Sequence, residues 1–325
     1  MYSSEDLKDV VEKSLKSVQN GGFSDLYAPV IYSLSIGGKR IRPVLALLSC
    51  NLFIDKIIDK HVLPAVGLEV FHCFTLVHDD IMDKADMRRN QPSIHKKWNV
   101  NTAILSGDTM CIEAYRLLCQ AEIPKIHEIL NWFSKAALNV CEGQQYDMNY
   151  ETKTTVTEED YLSMIGMKTA SLISVSTRIG AIIGEAPSAD VERLARLGQN
   201  LGMAFQIQDD IMDTYSESKK IGKDTGLDIA NNKKTYLLIS AIRLAKGEKK
   251  KELLSLMNNK EEIPVMEKYS RVKAIYDELK VKELAENKIK SYYAVVEDEL
   301  KAINVKSERK EYFKQYVDSL FARQK

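Results

Sequence analysis

Phe71-His72-Cys73-Phe74-Thr75-Leu76-Val77-His78-Asp79-Asp80-Ile81-Met82-Asp83 is the stretch on which the reading of this chain turns. An apolar run of helical character ends in three carboxylates. Asp79 and Asp83 are four residues apart and share a helix face. Asp80 lies about 100° round from Asp79, so all three can converge on one patch. Unpaired carboxylates that close repel one another and are unfavourable beside apolar neighbours. The pattern returns as Asp209-Asp210-Ile211-Met212-Asp213, again after an apolar helical run. Two such clusters on separate apolar helices predict two walls of one divalent-metal site.

Size and composition bound what surrounds these clusters. The chain has 325 residues, with only 15 Gly and 7 Pro, and no Pro/Gly/Ser-rich linker divides it. Residues 1–325 therefore read as a single domain large enough to bury a core. Lys+Arg and Asp+Glu number 46 each, so no global charge points to nucleic acid. Cys50, Cys73, Cys111, Cys119 and Cys141 lie in apolar surroundings without metal-ligand spacing, as buried thiols in a reducing, cytoplasmic setting would. The acidic, amphipathic N-terminus is unlike a signal peptide. No uninterrupted apolar run reaches the roughly 18 residues of a membrane span.

Along the chain, Leu7, Val10, Val11, Leu15 and Val18 have helical spacing, and Pro29 to Leu34 form another short apolar run. Gly37-Gly38-Lys39-Arg40-Ile41-Arg42-Pro43 reads as a helix stop followed by a new first turn. Lys39, Arg40 and Arg42 thus fall at a junction of free N–H groups suited to anions. Pro64 is the expected start of the helix that ends in the first acidic motif. Ala103–Leu118, Trp132–Val140 and Ala170–Gly184 are further apolar helical segments, and Thr-rich 151–159 is a loop leading to a helix at Tyr161. Pro187-Ser188 opens the second acidic helix. After Tyr236 helical patterns run to the end, with breaks at Gly247 and Pro264. No alternating strand pattern of useful length occurs, so the expected class is all-α.

Carboxylate walls with basic residues nearby suit one kind of ligand. Mg²⁺ takes one or two carboxylates, water and phosphate oxygens rather than an all-protein cage. Lysines and arginines would hold the diphosphate oxygens the metal leaves free. The aromatic and aliphatic residues upstream of each acidic motif would line an apolar chamber. The predicted ligand has an anionic head and a greasy tail.

The ordered set of motifs is more specific than any one of them. It comprises GGKRIRP at 37–43, DDIMD at 79–83 with RR at 88–89, GQQYD at 143–147 and KT at 168–169. FQIQDDIMD at 205–213, GK at 222–223 and KKT at 233–235 complete it. In these the chain resembles the trans-isoprenyl diphosphate synthases, or polyprenyl synthetases, and most of all the short-chain farnesyl and geranylgeranyl diphosphate synthases.

The resemblance implies an all-α isoprenoid synthase fold, a helical bundle around a deep central cavity, and a homodimer. It also implies Mg²⁺, three ions with substrate bound. By position Asp79, Asp83 and Asp209 resemble direct Mg²⁺ ligands, supported by Asp80, Asp210 and Asp213. Arg88, Lys168, Lys223 and Lys233 resemble residues that hold the allylic diphosphate. Lys39, Arg42, His72 and Arg89 match positions that hold isopentenyl diphosphate. Thr169 and Gln206 match polar residues near the reacting carbons, and Gln144 and Asp147 a supporting motif.

The implied reaction is ionisation of the allylic diphosphate, attack by the double bond of isopentenyl diphosphate, and loss of a proton. Metals and fixed lysines stabilise the leaving diphosphate as its charge grows. Asn90, Ser93 and Asn231-Asn232 depart from the commonest family pattern, at positions where Gly, Thr and an acidic-Gly pair are usual.

Product length has a physical reading. Thr75, Phe74, Phe71 and Leu68 lie progressively further below the first motif, and a bulky ring there blocks elongation. The family implies that an aromatic residue five before the first Asp sets the length, which is Phe74. Thr75 is smaller than the second aromatic of many farnesyl-making enzymes, so geranylgeranyl diphosphate is favoured over farnesyl diphosphate. Two other readings stand beside this one. A class I terpene cyclase could use Asp209, Asp213 and Glu217 at i, i+4, i+8 spacing, but would not need the basic set. A non-catalytic partner of a synthase could dispense with both acidic motifs.

Overall fold

A computed structural model describes residues 1–18, 24–153, 155–216, 226–257 and 263–322. In chain order its first elements are α1 (Ser4–Val18), α2 (Ser24–Ser35), α3 (Ile41–Asn51) and α4 (Asp59–Met82). A minimal hairpin of β1 (Met87–Arg88) and β2 (Gln91–Pro92) follows, then α5 (Ile94–Lys97), α6 (Val100–Cys119) and α7 (Ile126–Thr152). Next come α8 (Glu158–Ile165), a π-helical turn (Gly166–Ala170), α9 (Ser171–Ile183) and α10 (Ser188–Tyr215). The remainder is α11 (Leu227–Ala230), α12 (Tyr236–Leu244), α13 (Gly247–Met257), α14 (Val265–Glu278), α15 (Val281–Ala302) and α16 (Ser307–Phe321). The all-α class expected from sequence is the class observed.

Two prolines sit inside helices, and at one of them, Pro64, the sequence predicts the helix to begin. Helix α2 starts at Ser24, before Pro29, and α4 starts at Asp59, before Pro64. In α4 the Nδ1 of His61 accepts the N–H of Ile58 at 3.1 Å, which fixes the first turn upstream of the proline. Each proline lies just past the first turn of its helix and removes one backbone hydrogen bond there. The apolar segment Trp132–Val140 and the polar one after it, predicted separately, are one continuous helix, α7.

The chain divides into two compact units. The first comprises Met1–Lys135, Leu172–Ala195 and Ala302–Lys325. Within it α4 packs along α6, with α1, α2 and α3 on its other sides. Leu7, Val11, Leu15 and Val18 form the buried stripe of α1 at helical spacing. Almost every side chain of α3 is buried, and α9 approaches it closely through Gly180. A Cβ at Gly180 would lie 1.9 Å from the carbonyl oxygen of Ala46, which is backbone and has nowhere to go. Gly180→Ala is therefore expected to lower stability by about 1–3 kcal/mol, read as an earlier urea unfolding midpoint. An unchanged midpoint would show that α3 and α9 are not in such close contact.

The second unit comprises Ala136–Ser171 and Arg196–Lys301. In it α8 continues through the π turn, α12 packs against α8 and α14, and α11 lies on α14.

Among the described residues α4 alone is long and apolar enough, by length and composition, to cross a membrane. Its apolar residues are broken by polar ones and form no single run. Some 67% of its apolar 18-residue window is buried inside the protein, which accounts for its apolar character. The five cysteines form no disulfide. Cys50 and Cys73 are buried, and burial pushes both thiols up to about 12. Cys119 and Cys141 are exposed, contrary to the expectation of buried thiols throughout.

Candidate active site

In the first unit the candidate site residues gather around the last turns of α4. Asp79 is half-buried, Asp83 is exposed at the helix C-terminus, and Asp80 is buried. The three do not play equal parts. Asp80 accepts bonds from both Nε (3.0 Å) and Nη2 of Arg88, whose Nη2 also lies 3.4 Å from Asp79. Burial pushes the Asp80 carboxyl up, and the Arg88 guanidinium pulls it back down. The result is a fixed cation beside two carboxylates, Asp79 and Asp83, that face outward one helical turn apart.

Arg88 and Arg89 are presented by the hairpin. Arg89 (φ 52°) and Asn90 (φ 60°) both take left-handed conformations, as the two central residues of a type I′ turn must. The Arg89 guanidinium donates to the carbonyl of Gly37 and lies against Gly38, where a Cβ would sit 2.6 Å from Nη1. A side chain at 38 would displace the guanidinium from that position. The structure thereby brings Arg89 to the loop that carries Lys39, which is exposed, and leads to Arg42, which is half-buried in the first turn of α3.

His72 lies in the same positive field. Burial, and then Arg42, Arg89, Arg88 and Arg40, hold its imidazole well below the usual range, so it is neutral at pH 7. A neutral ring can present either an N–H or a lone pair without adding charge.

Arg40 does not belong to this anion-facing set, contrary to the expectation from its place in GGKRIRP. It is 2% exposed and turned inward. Its guanidinium donates to Glu12 (2.8 Å), to buried Glu69 (2.8 Å) and to the carbonyl of Leu34 (2.7 Å). Nothing in the local sequence separates this arginine from Arg42, since only Glu69, almost thirty residues on, reveals its role.

Below the carboxylates α4 carries an aromatic cluster. Phe71 is buried edge-on against Phe133 of α7 (5.1 Å between centroids) and beside Phe74 (5.2 Å). Tyr115 of α6 packs on the far side of Phe133 (4.9 Å). Phe74 is only half-buried and meets His78 (4.8 Å). Thr75 turns its hydroxyl back to the carbonyl of His72 (2.8 Å). Phe133 and Tyr115 are absent from the sequence-predicted set because no local motif joins them to α4.

In the second unit the site residues form a connected polar network. Gly143 lets α7 touch the π turn, since a Cβ there would lie 2.4 Å from the backbone nitrogen of Lys168. One turn further along α7, Asp147 pairs with Lys168 Nζ at 2.6 Å. Lys233 Nζ lies 3.9 Å from Asp147 and 2.9 Å from Glu151. The π turn shifts the register at Lys168-Thr169, a device common at functional sites and one without a sequence signal. Thr169 Oγ1 donates to Gln206 Oε1 (2.8 Å), and Gln206 Nε2 lies 3.3 Å from Asp210.

Asp210 is buried, and burial pushes its carboxyl up to about 6. It accepts from the Tyr161 hydroxyl (2.6 Å) and the Tyr236 N–H (2.9 Å). The Asp213 carboxylate accepts the N–H groups of Leu227 (3.2 Å) and Asp228 (3.0 Å). Asp228 sits in the same cluster, and burial followed by the charges of Asp213 and Asp210 raises it well above the carboxylate range. Asp209 and Gln144 are half-buried. Lys223 and Glu217 lie outside the described residues. Tyr161 and Asp228 join the site without standing in any predicted motif.

Residues 24–279 match the family profile described as "Polyprenyl synthetase". The chain belongs to the polyprenyl synthetase family. It is 36% identical to a geranylgeranyl diphosphate synthase of Sulfolobus acidocaldarius over 92% of this chain and 90% of the relative. It is 40% identical to a short chain isoprenyl diphosphate synthase of Methanocaldococcus jannaschii, over 79% of this chain and 75% of the relative. Among solved structures, a geranylgeranyl pyrophosphate synthase superposes with a TM-score of 0.93 and 36% identity, covering all of both chains. This polyprenyl synthetase is an enzyme, a trans-prenyltransferase with the all-α isoprenoid synthase fold.

The positions at which this polyprenyl synthetase departs from the usual family residues have physical explanations. Asn90 (φ 60°) and Asn232 (φ 57°) stand where Gly is usual, and Asn is the side chain that best tolerates left-handed backbone. Ser93, in place of Thr, directs its hydroxyl to the carbonyl of Ala85 (2.5 Å).

The donor set also fits Mg²⁺. Among the described residues no three Asp, Glu, His or Cys side chains gather into a metal cage. Mg²⁺ does not require one, since it binds through one or two carboxylates and substrate phosphate oxygens. Asp79 and Asp83, outward and one turn apart, are such a pair. Asp80 is held by Arg88, which also reaches Asp79, and Asp210 by Tyr161 with the Tyr236 N–H.

Proposed function

We propose that this enzyme condenses isopentenyl diphosphate with an allylic diphosphate and that its main product is geranylgeranyl diphosphate. The observation that carries the reading is the Arg88 guanidinium fixed by Asp80 beside outward-facing Asp79 and Asp83, at the head of a helix floored by Phe74 and Phe71. A cation and outward carboxylates above an apolar floor suit a diphosphate with a hydrocarbon tail.

Asp79, Asp83 and Asp209 would hold Mg²⁺, three ions with substrate bound, and the metal would supply charge stabilisation to the leaving diphosphate. Asp80, Asp210 and Asp213 would support them. Arg88, Lys168, Lys223 and Lys233 would bind the allylic diphosphate. Lys168 and Lys233 share Asp147, so their charges are oriented before substrate arrives. Lys39, Arg42, Arg89 and neutral His72 would bind isopentenyl diphosphate. The Thr169–Gln206 pair would face the reacting carbons with oxygen dipoles rather than a nucleophile. The Phe71–Phe133–Tyr115 cluster would keep water from the cation.

The reading extends to the whole chain. We propose one functional domain over 1–325, since the family match runs through residues of both units. A homodimer is supported by the apolar surface of α6, where Ile104, Leu105 and Ile112 are 43%, 57% and 70% exposed. Five cysteines without a disulfide support a cytoplasmic location.

Phe74 should set the product. Phe71 is locked between Phe74 and Phe133, whereas Phe74 is half-buried and can be truncated without emptying the core. Phe74→Ala is expected to shift the distribution to chains longer by one or more isoprene units, measured by chromatography of the dephosphorylated products. An unchanged distribution would place the limit elsewhere.

A further inference from the structure

The segment from Gly226 to Tyr236 carries Lys233 and is pinned at both ends by carboxylates of the second acidic motif. Asp213 accepts the N–H groups of Leu227 and Asp228 at its start, and Asp210 accepts that of Tyr236 at its end. Between these points α11 stops at Ala230, and the chain reverses through Asn232 at φ 57°. The N–H of Asn232 returns to Ile229 (3.3 Å) and that of Lys233 to Asp228 (2.9 Å), so the backbone at Lys233 follows whatever the turn does.

The turn is filled by a residue to which neither metal nor diphosphate assigns a role. Lys268 of α14 is 4% exposed. Its Nζ donates to the carbonyl of Ala230 (3.2 Å) and to Oδ1 of Asn232 (2.6 Å). Lysine is seldom buried to this degree unless its ammonium is fully engaged. Here it bridges the last turn of α11 to the reversing residue. Asn232 tolerates the left-handed backbone as Gly does, and in addition offers an acceptor that Gly lacks.

We infer that Lys268 and Asn232 form a latch that positions Lys233, on the reading of Lys233 as a ligand of the allylic diphosphate. Lys268 is a positioning residue, since its ammonium is turned into the turn. The Lys233 ammonium lies within 2.9 Å of Glu151, so a small rotation of the turn would carry it away from that carboxylate. Misplacement of a charged ligand by about 1 Å can cost up to about a hundredfold in rate.

The geometry offers a clean substitution. Asn232→Gly keeps the permitted backbone and removes only the acceptor, and Lys268→Met removes the donor while keeping the buried stem. Both variants would be compared with wild type as full-length protein with Mg²⁺. The readouts are inorganic pyrophosphate binding by calorimetry, KM for geranyl diphosphate and for isopentenyl diphosphate, and amide exchange over 227–236. The expected result is an increase of about tenfold in the pyrophosphate Kd and in KM for geranyl diphosphate. KM for isopentenyl diphosphate should stay within about twofold, since its proposed ligands belong to the other unit. Exchange should quicken over 227–236 in both variants.

Unchanged KM for geranyl diphosphate, or equal increases for both substrates, would overturn the latch and leave the functional reading standing. If wild type neither binds pyrophosphate nor turns over, the functional reading fails instead. The latch is then judged by exchange alone, and unchanged exchange over 227–236 overturns it.

Discussion

Asp79→Asn is expected to lower kcat by at least about a thousandfold with little change in stability. The carboxylate of Asp79 faces outward at the end of α4, and Asn keeps its shape while removing the charge that would bind Mg²⁺. Arg88 stays in place because its two bonds to Asp80 do not involve Asp79. The substitution therefore separates charge from architecture. Asp80→Asn would not, since it would leave the Arg88 guanidinium without its main partner. The test is steady-state kinetics with a urea unfolding curve for each protein. Activity within about tenfold of wild type in a well-folded Asp79→Asn enzyme would remove Asp79 from the metal site.

Arg40→Met is expected to lower stability by about 3–5 kcal/mol. Removing the guanidinium leaves Glu69, 1% exposed in the middle of α4, as an uncompensated buried charge. It also strips the donor from the Leu34 carbonyl. Glu12 matters less, since its side chain is 37% exposed and can turn to water. The companion variant Arg40→Met with Glu69→Leu should regain most of the loss, because burying two apolar side chains is often as good as burying an ion pair. A single Arg40→Met variant as stable as wild type would show that the Glu69 charge is not trapped.

These two residues also show what the sequence can and cannot carry. Helix content was legible because apolar residues recur at 3.6-residue spacing, and the acidic motifs stood out because the cluster occurs twice, each time after an apolar run and with basic residues nearby. Arg40 was not, because a buried arginine and an anion-binding one have the same neighbours in sequence. Its partner Glu69 is brought to it only by packing of α4. The π turn at Lys168-Thr169 leaves no mark in residue type, and it arises where α7 presses Gly143 against the backbone.

Tyr161, Asp228 and Lys268 were hidden for a similar reason. Each supports a motif residue from an element far away in the chain, where it looks like an ordinary polar side chain. The helix start ahead of Pro64 was missed because a proline marks a permitted first turn without requiring one. Asn90 and Asn232, which look like departures from the family pattern, both take the left-handed backbone that Gly would also permit.

The most direct measurement is product analysis with isopentenyl diphosphate and, in turn, dimethylallyl, geranyl and farnesyl diphosphate, with Mg²⁺ and after its removal by chelation. The expected result is Mg²⁺-dependent elongation of the allylic starters that ends mainly at geranylgeranyl diphosphate. Well-folded protein that incorporates no isopentenyl diphosphate with any of the three starters, or that turns farnesyl diphosphate alone into a hydrocarbon, would contradict it.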